Sequence, residues 1–370
     1  MIPNIKVLPC GVDTEKFRQV NKQEALNYIE SRFNINLNAK IKLVFVGRIS
    51  KEKGLPYLID ALRLLDDVEL LIVGTGPEEA YLKKRSAGLG GKIHFLGAVE
   101  KDNVPLVLNA ADIFVLPSLS EGFSNSLLEA MACNLPSVAT NVGAAKEVVT
   151  HKVGKAVEPG NAEQIAGAVK AIRENYTEYT PRAIAEEKYS FHKAAQVVYD
   201  AYSEVCEKDV ENICFASFMA PPYFLAGIQP FELARELAKR CRVTVLTSNI
   251  MNAPSYEKAD NVNLWRVRHV NVLTGRPFYS IAATLRGLRM PKFDVVDGRN
   301  WEGALVAVLL KKVKGNKAVV RFVGKGAFEG PGVKGIANRY VIANADLIIA
   351  TDEETANEAK KLASPSTKAG

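Results

Sequence analysis

Short apolar runs that favour β-strands alternate along the chain with segments whose apolar residues recur every three or four positions. The predicted strands of the first half cover 41–47, 69–74, 92–96, 112–116 and 136–140. Those of the second half lie near 212–217, 242–247, 294–297, 318–323 and 346–350. The clearest predicted helix covers 54–65, with an apolar face formed by Leu55, Leu58, Ile59, Leu62 and Leu65. Because this alternation is typical of parallel sheets with helices on both faces, it predicts an α/β protein with two Rossmann-like domains.

The boundary between the two domains is predicted after a long helix over 190–207. The polar run Glu207-Lys208-Asp209 follows this helix and leads directly into a new strand, without a Pro- or Gly-rich linker. We therefore predict a first domain over 1–209, closed by the helix, and a second domain over 210–370. A total of 370 residues fits two domains of about 100 to 200 residues each.

The composition is that of an ordinary globular protein, with 48% hydrophobic and 24% charged residues, which excludes a disordered or collagen-like chain. The five cysteines are scattered and form no CxxC pair, so we expect a reducing, cytoplasmic environment. Met1 is not followed by a signal-peptide pattern, and no apolar run approaches the length of about 18 residues that spans a bilayer.

Positive charge is concentrated in the second half of the chain. Residues 1–209 contain 25 basic and 27 acidic residues, a net charge of −2, whereas residues 210–370 contain 23 and 14, a net charge of +9. Such a half attracts phosphates, anionic lipids or nucleic acid, and charge alone does not choose among them.

The first candidate site is the loop from Gly47 to Gly54, with the sequence G-R-I-S-K-E-K-G, which leaves a predicted strand and enters a predicted helix. Ligands of open α/β sheets bind outside the carboxyl ends of strands, and the free N–H groups of a helix start suit a phosphate. Arg48 and Lys53 add two cations, so the loop favours phosphate binding; the alternative is a solvated turn.

The second candidate site contains Glu121 and Glu129, which would lie about 80° apart if both were on one helix and so would not form a facing acid–base pair. We expect Ser124 or Asn125 to cap the helix, with Glu121 in the loop before it and Glu129 in an early turn. Carboxylates accept hydrogen bonds from vicinal hydroxyls, which indicates a sugar ligand. The alternative is that these acids complement the helix dipole.

Together with the segment G-V-D-T-E-K-F over 11–17, these patterns resemble the nucleotide-binding domain of the retaining GT-B glycosyltransferases of family 4. The resemblance includes Gly74-Thr75-Gly76-Pro77 and the stretch 141–147. The second half, with its opening strand and the segment 221–227, resembles the acceptor domain of that family. In the family the acceptor domain comes first, so this chain resembles a circularly permuted member whose two domains face each other across a cleft.

The resemblance implies retaining, same-face transfer from a nucleoside-diphosphate sugar, with a UDP-sugar as the expected donor. Arg48 and Lys53 would neutralise the diphosphate, Glu121 would contact the donor sugar, and Glu129 would bind the ribose. The remaining donor-site positions implied are Gly47, Gly122, Phe123, Ser124, Asn125 and, in the second half, Gly227. The chain has no D-x-D triplet, and we expect neither a metal nor another cofactor.

The acceptor side departs from the family at two positions. Asp297-Gly298-Arg299 stands where one histidine is expected after a D-V-V strand, and Val323-Gly324-Lys325 stands where a second is expected after the next strand. Asp297, Arg299 and Lys325 become the candidate acceptor residues. The expected acceptor is a carbohydrate, a lipid-linked molecule or another anionic molecule, and no nucleic-acid partner is expected.

The basic second half and the mixed apolar and basic segment 279–290 also suggest peripheral contact with the inner face of the membrane. The alternative is that this segment only covers the sheet of its own domain. The missing histidines leave a second function open, that of a non-catalytic protein that binds nucleotide sugars or polyanions.

Overall fold

The computed structural model describes residues 4–8, 10–218, 228–249, 253–267, 276–322 and 333–363. The chain divides into a first unit, Val12–Ser190, and a second unit formed by Met1–Gly11 and Phe191–Gly370. The predicted division at residue 209 is therefore wrong for two segments, because residues 1–11 and 191–209 belong to the second unit. Helix α9 (Phe191–Cys206) belongs to the second unit because its apolar face, including Val198 and Tyr202, packs into that unit's core.

The first unit contains a six-stranded parallel sheet in the order β4-β3-β2-β5-β6-β7. Its strands are β2 (Ile41–Val46), β3 (Val68–Val73), β4 (Ile93–Gly97), β5 (Ile113–Leu116), β6 (Ser137–Thr140) and β7 (Gly154–Val157). The five predicted strands of this half are confirmed, and the short strand β7 was not predicted. Strand order reverses between β2 and β5, so the carboxyl ends of these two strands form the switch point at which such sheets bind ligands.

Helices cover both faces of this sheet. Helix α2 packs against α3 and α7, α1 packs against α4, and α5 packs against α8. The helices are α1 (Lys22–Phe33), α2 (Leu55–Leu62), α3 (Glu79–Arg85), α4 (Val104–Ala110), α5 (Asn125–Ala132), α6 (Ala145–Val148), α7 (Ala162–Glu174) and α8 (Pro181–Ile184). The predicted helix over 54–65 is confirmed as α2, and all five residues of its predicted apolar face are buried.

The second unit contains an eight-stranded sheet in the order β1-β14-β13-β12-β8-β9-β11-β10, in which only β10 is antiparallel to its neighbour. Its strands are β1 (Asn4–Val7), β8 (Asn212–Ala216), β9 (Arg242–Ser248), β10 (Tyr256–Ala259), β11 (Val262–Val267), β12 (Val295–Arg299), β13 (Lys317–Phe322) and β14 (Leu347–Ala350). Strand β1 pairs in parallel with β14, which is why the start of the chain belongs to this unit.

Two helical layers cover the second sheet. Helices α9 and α10 (Ile228–Leu237) pack on one face. The other face is covered by α11 (Arg276–Leu288), α12 (Asn300–Lys314), α13 (Val333–Asn344) and α14 (Glu353–Ala363). The two Rossmann-like domains predicted from the sequence are thus present. Among the described residues, none of the helices combines the length and the apolar character required to cross a bilayer.

Candidate functional site

The loop that follows β2 is held against the loop that follows β3. The N–H groups of Gly47 and Ile49 donate hydrogen bonds to the carbonyls of Val73 and Thr75, each at 3.0 Å. A single 3₁₀ turn over Lys51–Lys53 then ends at Gly54, which has a φ of +62°. A Cβ at Gly54 would lie 2.0 Å from the Pro117 carbonyl oxygen, so only glycine lets this loop approach the loop after β5.

An ion pair joins the loops after β2 and β5. Lys53 Nζ lies 2.5 Å from Glu121 Oε2, which also accepts a hydrogen bond of 3.1 Å from Ser118 Oγ. The Leu119 N–H donates to the Glu52 carbonyl at 2.7 Å. The structure therefore brings Lys53 and Glu121 together at the switch point, whereas the sequence predicted separate contacts of the two side chains with a ligand.

Arg48 differs from Lys53 in its surroundings. Its side chain is exposed, and within the described part of the chain no carboxylate forms an ion pair with it. The loop after β2 therefore presents two cations that are open to solvent, Arg48 and Lys51, and a third, Lys53, that is paired with Glu121.

The sequence predicted that Ser124 or Asn125 caps helix α5, and in the structure the cap is Ser124. Its Oγ accepts a hydrogen bond of 3.4 Å from the Leu127 N–H, and Asn125 is the first helical residue. The preceding turn is fixed by the loop after β6, because the Ala144 N–H donates to the Gly122 carbonyl at 2.9 Å. The Phe123 ring packs against the Tyr189 ring at 6.3 Å between centroids. Gly122 to Asn125 therefore form an ordered turn at the carboxyl end of β5.

Glu129 lies in the second turn of α5 and is partly buried. Burial raises the pKa of its carboxyl group to about 7, against the opposing positive charges of Lys101 and Lys16. No hydrogen bond to this carboxyl group is found among the described residues. The sequence did not indicate that Lys101 and Lys16 lie near Glu129; Lys16 lies in the segment 11–17, and only the folded loop brings it close.

Asp297 of β12 is fully buried in the second unit. Its Oδ2 accepts hydrogen bonds from Arg321 Nη2 at 2.8 Å and from Tyr202 Oη at 2.5 Å. Burial, together with the neighbouring Asp297 carboxylate, raises the pKa of Tyr202 well above its ordinary value, so Tyr202 remains a donor. The carboxylate is engaged inside the unit rather than open to an acceptor, which does not fit the contact predicted from the sequence.

Arg299 lies two residues further along β12 and is partly exposed. Burial of part of the side chain, together with the positive charge of Arg321, lowers its pKa to about 10. Within the described residues no carboxylate forms an ion pair with Arg299, although the nearby Asp297 carboxylate partly offsets its charge. A cation without an ion-pair partner therefore stands at the carboxyl end of β12. The other two predicted residues of this half, Gly227 and Lys325, lie outside the described residues.

Comparison with protein families finds two matches in succession. The family described as "Glycosyl transferases group 1" matches residues 27–213, and the family described as "Glycosyl transferase 4-like domain" matches residues 227–369. The first match covers just over half of the 370 residues.

Similar proteins include an uncharacterised glycosyltransferase of Methanocaldococcus jannaschii, 32% identical over 216 residues, which are 55% of each chain. A GDP-mannose-dependent phosphatidylinositol monomannoside mannosyltransferase of Mycobacterium tuberculosis is 33% identical over 183 residues, 46% of each chain. The crystal structure of Anabaena HepE with UDP is 25% identical, with a TM-score of 0.49, over 54% of this chain and 57% of that one. The chain spans about half the length of the relatives it matches. On the family match over residues 27–213, this chain belongs to the group 1 glycosyl transferases.

Proposed function

We propose that the protein is a retaining glycosyltransferase that moves a sugar from a nucleoside-diphosphate sugar to an acceptor, with a UDP-sugar as the first donor to test. The observation that carries this proposal is the grouping of Arg48, Lys53 and Glu121 at the switch point of the first sheet, with Glu129 on the helix that follows. Cations beside carboxylates that accept hydrogen bonds suit the two halves of such a donor, its diphosphate and its hydroxyl groups.

In this proposal the diphosphate binds Arg48 first, because this guanidinium is open to solvent and unpaired. It then competes with Glu121 for Lys53. Release of Lys53 frees the Glu121 carboxylate to accept hydrogen bonds from hydroxyls of the donor sugar. The ion pair between Lys53 and Glu121 is thus the resting arrangement, which donor binding exchanges for two separate contacts.

Transfer breaks the bond from the anomeric carbon to the phosphate oxygen and forms a bond to the acceptor oxygen on the same face of the sugar. The acceptor proton passes to an oxygen of the leaving phosphate, so charge and atoms balance without a protein nucleophile. Negative charge grows on the diphosphate as it leaves, and Arg48 and the released Lys53 stabilise it. These two side chains supply the positive charge in our proposal, which therefore requires neither a metal ion nor another cofactor.

Glu129 is proposed to bind the ribose hydroxyls. Hydrogen bonds from two hydroxyls favour the ionised carboxylate and so lower the raised pKa of this group. Nucleotide binding near pH 7 should then release a proton. We expect Glu129→Ala to weaken UDP affinity about tenfold while the protein stays folded, through the loss of hydrogen bonds to a charged group.

The acceptor is proposed to be an anionic, lipid-linked or carbohydrate molecule that contacts Arg299. Among the described residues this guanidinium has no ion-pair partner, and it lies at the carboxyl end of β12, which is the ligand-binding end of a parallel sheet. The contact between Asp297 and Arg321 would hold β12 against β13 and so position Arg299 at the end of β12.

The chain is also proposed to be a circular permutation of the family arrangement. Two observations support this: the group 1 match precedes the 4-like match, and β1 extends the sheet of the second unit beside β14. A test variant would begin at Glu211 and join residue 370 to residue 1 through a flexible linker. Retained UDP binding and an unchanged unfolding midpoint would support the permutation, and loss of folding would count against it.

The test of the main proposal is release of nucleoside diphosphate from UDP-, GDP- and ADP-sugars, with and without acceptor extracts. We expect slow hydrolysis of one donor, faster release with acceptor, and loss of both in Arg48→Ala. The matched control is Lys155→Ala, which removes an exposed cation of the same unit on β7.

The alternative function is a non-catalytic protein that binds nucleotide sugars or polyanions. It is favoured by the segment Asp297-Gly298-Arg299, which contains no histidine although the family resemblance places one there. Tight UDP binding without turnover of any donor would favour this alternative over transfer.

A further inference from the structure

The outer surface of helices α11, α12 and α13 exposes an unusual set of aliphatic side chains. Ile281 and Leu285 of α11 are 57% and 54% exposed, Val313 of α12 is 67% exposed, and Ile336 of α13 is 71% exposed. These are the four most exposed large hydrophobic side chains of the described residues. Aliphatic groups left in water to this extent on neighbouring elements indicate a surface that functions in contact with an apolar phase.

The three helices form one continuous layer over the sheet. A Cβ at Gly287 would lie 2.8 Å from Leu310 Cδ1, so α11 and α12 pack closely at this point. The Lys312 ammonium lies 4.8 Å from the centre of the Tyr340 ring, which connects α12 to α13. The buried sides of all three helices contribute to one core, so their exposed positions face away from the sheet.

Among the described residues of these three helices, the exposed charged side chains are cations. Arg289, which directly follows α11, Lys312 of α12 and Arg339 of α13 are exposed. Helices α11 and α13 contain no acidic residue, and the single acid of α12, Glu302, is buried. The next helix, α14, begins with Glu353 and Glu354 and thus bounds the surface. We name this surface the basic apolar face, defined by Ile281, Leu285, Arg289, Lys312, Val313, Ile336 and Arg339.

Aromatic side chains flank the basic apolar face on the side of α11. The Arg286 guanidinium stacks on the Trp265 ring at 3.8 Å, and the Tyr256 ring lies 4.4 Å from Trp265. Tyrosine and tryptophan favour the boundary between water and lipid, because each combines an apolar ring with a polar group.

We propose that the basic apolar face docks on a membrane surface that contains anionic lipids. Aliphatic side chains enter the headgroup region while the cations contact lipid phosphates, which is the charge and hydrophobic pattern of interfacial helices. A second copy of the chain fits less well, because a twofold interface would bring the same cations together. A nucleic acid would pair with the cations but would leave the aliphatic groups in contact with a polar partner. The proposal does not depend on the transfer reaction.

The experiment is sedimentation of the full chain with vesicles of phosphatidylcholine alone and with vesicles in which about one third of the lipid is phosphatidylglycerol. We expect binding to the anionic vesicles, at least about tenfold weaker binding to the neutral ones, and a decrease with salt. The variants Leu285→Ser/Ile336→Ser and Arg289→Glu/Lys312→Glu should each reduce binding at least about tenfold.

The matched controls are Val197→Ser, an exposed aliphatic residue of α9, and Lys155→Glu/Lys170→Glu, two exposed cations of the first unit. Both should bind the anionic vesicles as the unmodified chain does, and thermal unfolding midpoints should show that all variants are folded. Absence of binding to anionic vesicles, equal binding to both vesicle types, or equal losses in variants and controls would overturn the proposal. Self-association abolished by the Leu285→Ser/Ile336→Ser variant, or tighter binding to an RNA oligonucleotide than to vesicles, would also overturn it.

Discussion

Each of the two units contains a pair of a carboxylate and a cation, and the surroundings of the two pairs give them different roles. Lys53 and Glu121 join two loops of the first unit and remain 18% and 13% exposed. Arg321 and Asp297 join neighbouring strands of the second unit at 6% and 0% exposure, with Tyr202 as a third partner. In the proposed function a ligand separates the partners of the first pair, whereas the second pair connects two strands inside the core. A candidate site is thus distinguished from a structural contact by the burial of the pair and by its location, in loops for the first pair and in strands for the second.

The largest expected effect is in the buried pair. Asp297→Ala leaves the Arg321 charge uncompensated, and we expect a loss of about 3–5 kcal/mol in the free energy of unfolding, measured in urea. Tyr202→Phe removes one hydrogen bond and should cost only about 1–2 kcal/mol. If Asp297→Ala were as stable as the original chain, the structural role of this pair would be wrong.

The exchangeable pair should show the opposite pattern. Lys53→Met retains most of the aliphatic stem, so we expect stability to change by less than about 1 kcal/mol, as is usual for partly exposed ion pairs. Transfer, or hydrolysis of the donor, should decrease about 100-fold because a cation at the leaving diphosphate is lost. Lys155→Met is the control for charge alone. If Lys53→Met lost stability but retained turnover, the pair of Lys53 and Glu121 would be a structural contact rather than part of the donor site.

Glu129 tests whether burial of a single carboxyl group leaves a measurable pH dependence. Its folded pKa of about 7 lies above the ordinary value of 4.5, so the folded state binds this proton more tightly. The contribution of Glu129 to stability is therefore lost as pH rises from about 4.5 to 7. The measurement is the difference in unfolding free energy between Glu129→Gln and the original chain at two pH values. This difference should favour the variant by about 1–3 kcal/mol more at pH 8 than at pH 4. Equal effects at the two pH values would contradict the raised pKa.

The smallest effect is expected at the helix cap. Ser124→Ala removes the hydrogen bond to the Leu127 N–H and should cost about 1 kcal/mol of stability. Because this cap fixes the turn that leads into α5, UDP affinity should fall by a similar few-fold factor. Thr177→Ala, which removes an exposed hydroxyl elsewhere in the first unit, is the matched control and should change neither quantity by more than about 0.5 kcal/mol.

Much of the fold was predictable because buried parallel strands are continuous apolar runs. The stretches 41–47 and 69–74 therefore match β2 and β3 to within one residue. Strand β7 escaped prediction because Lys155 and Ala156 are exposed, and its four residues form no apolar run. The domain boundary was wrong because the apolar face of α9 can cover either of two similar sheets, and its sequence does not indicate which one.

The sequence indicated which residues belong to the candidate site, but it did not predict which of them contact each other. The sequence indicated Lys53 and Glu121, but their direct pairing across 68 positions follows from the order of β2 and β5 in the sheet. Asp297 was assigned to an acceptor from its position after the D-V-V strand, and its actual partners, Arg321 and Tyr202, are too distant in sequence to have been predicted. Contacts between distant segments require the strand order, which local patterns do not contain.

The pairing of Asn4 with Leu347 has a consequence for synthesis of the chain on the ribosome. The first unit is contiguous, so it can fold once residue 190 has emerged from the ribosome. Strand β1 precedes the first unit in the chain, yet it must remain unpaired until β14 has been made. The second unit therefore closes its sheet last, and until then the exposed edge of β1 is the segment most vulnerable to incorrect pairing.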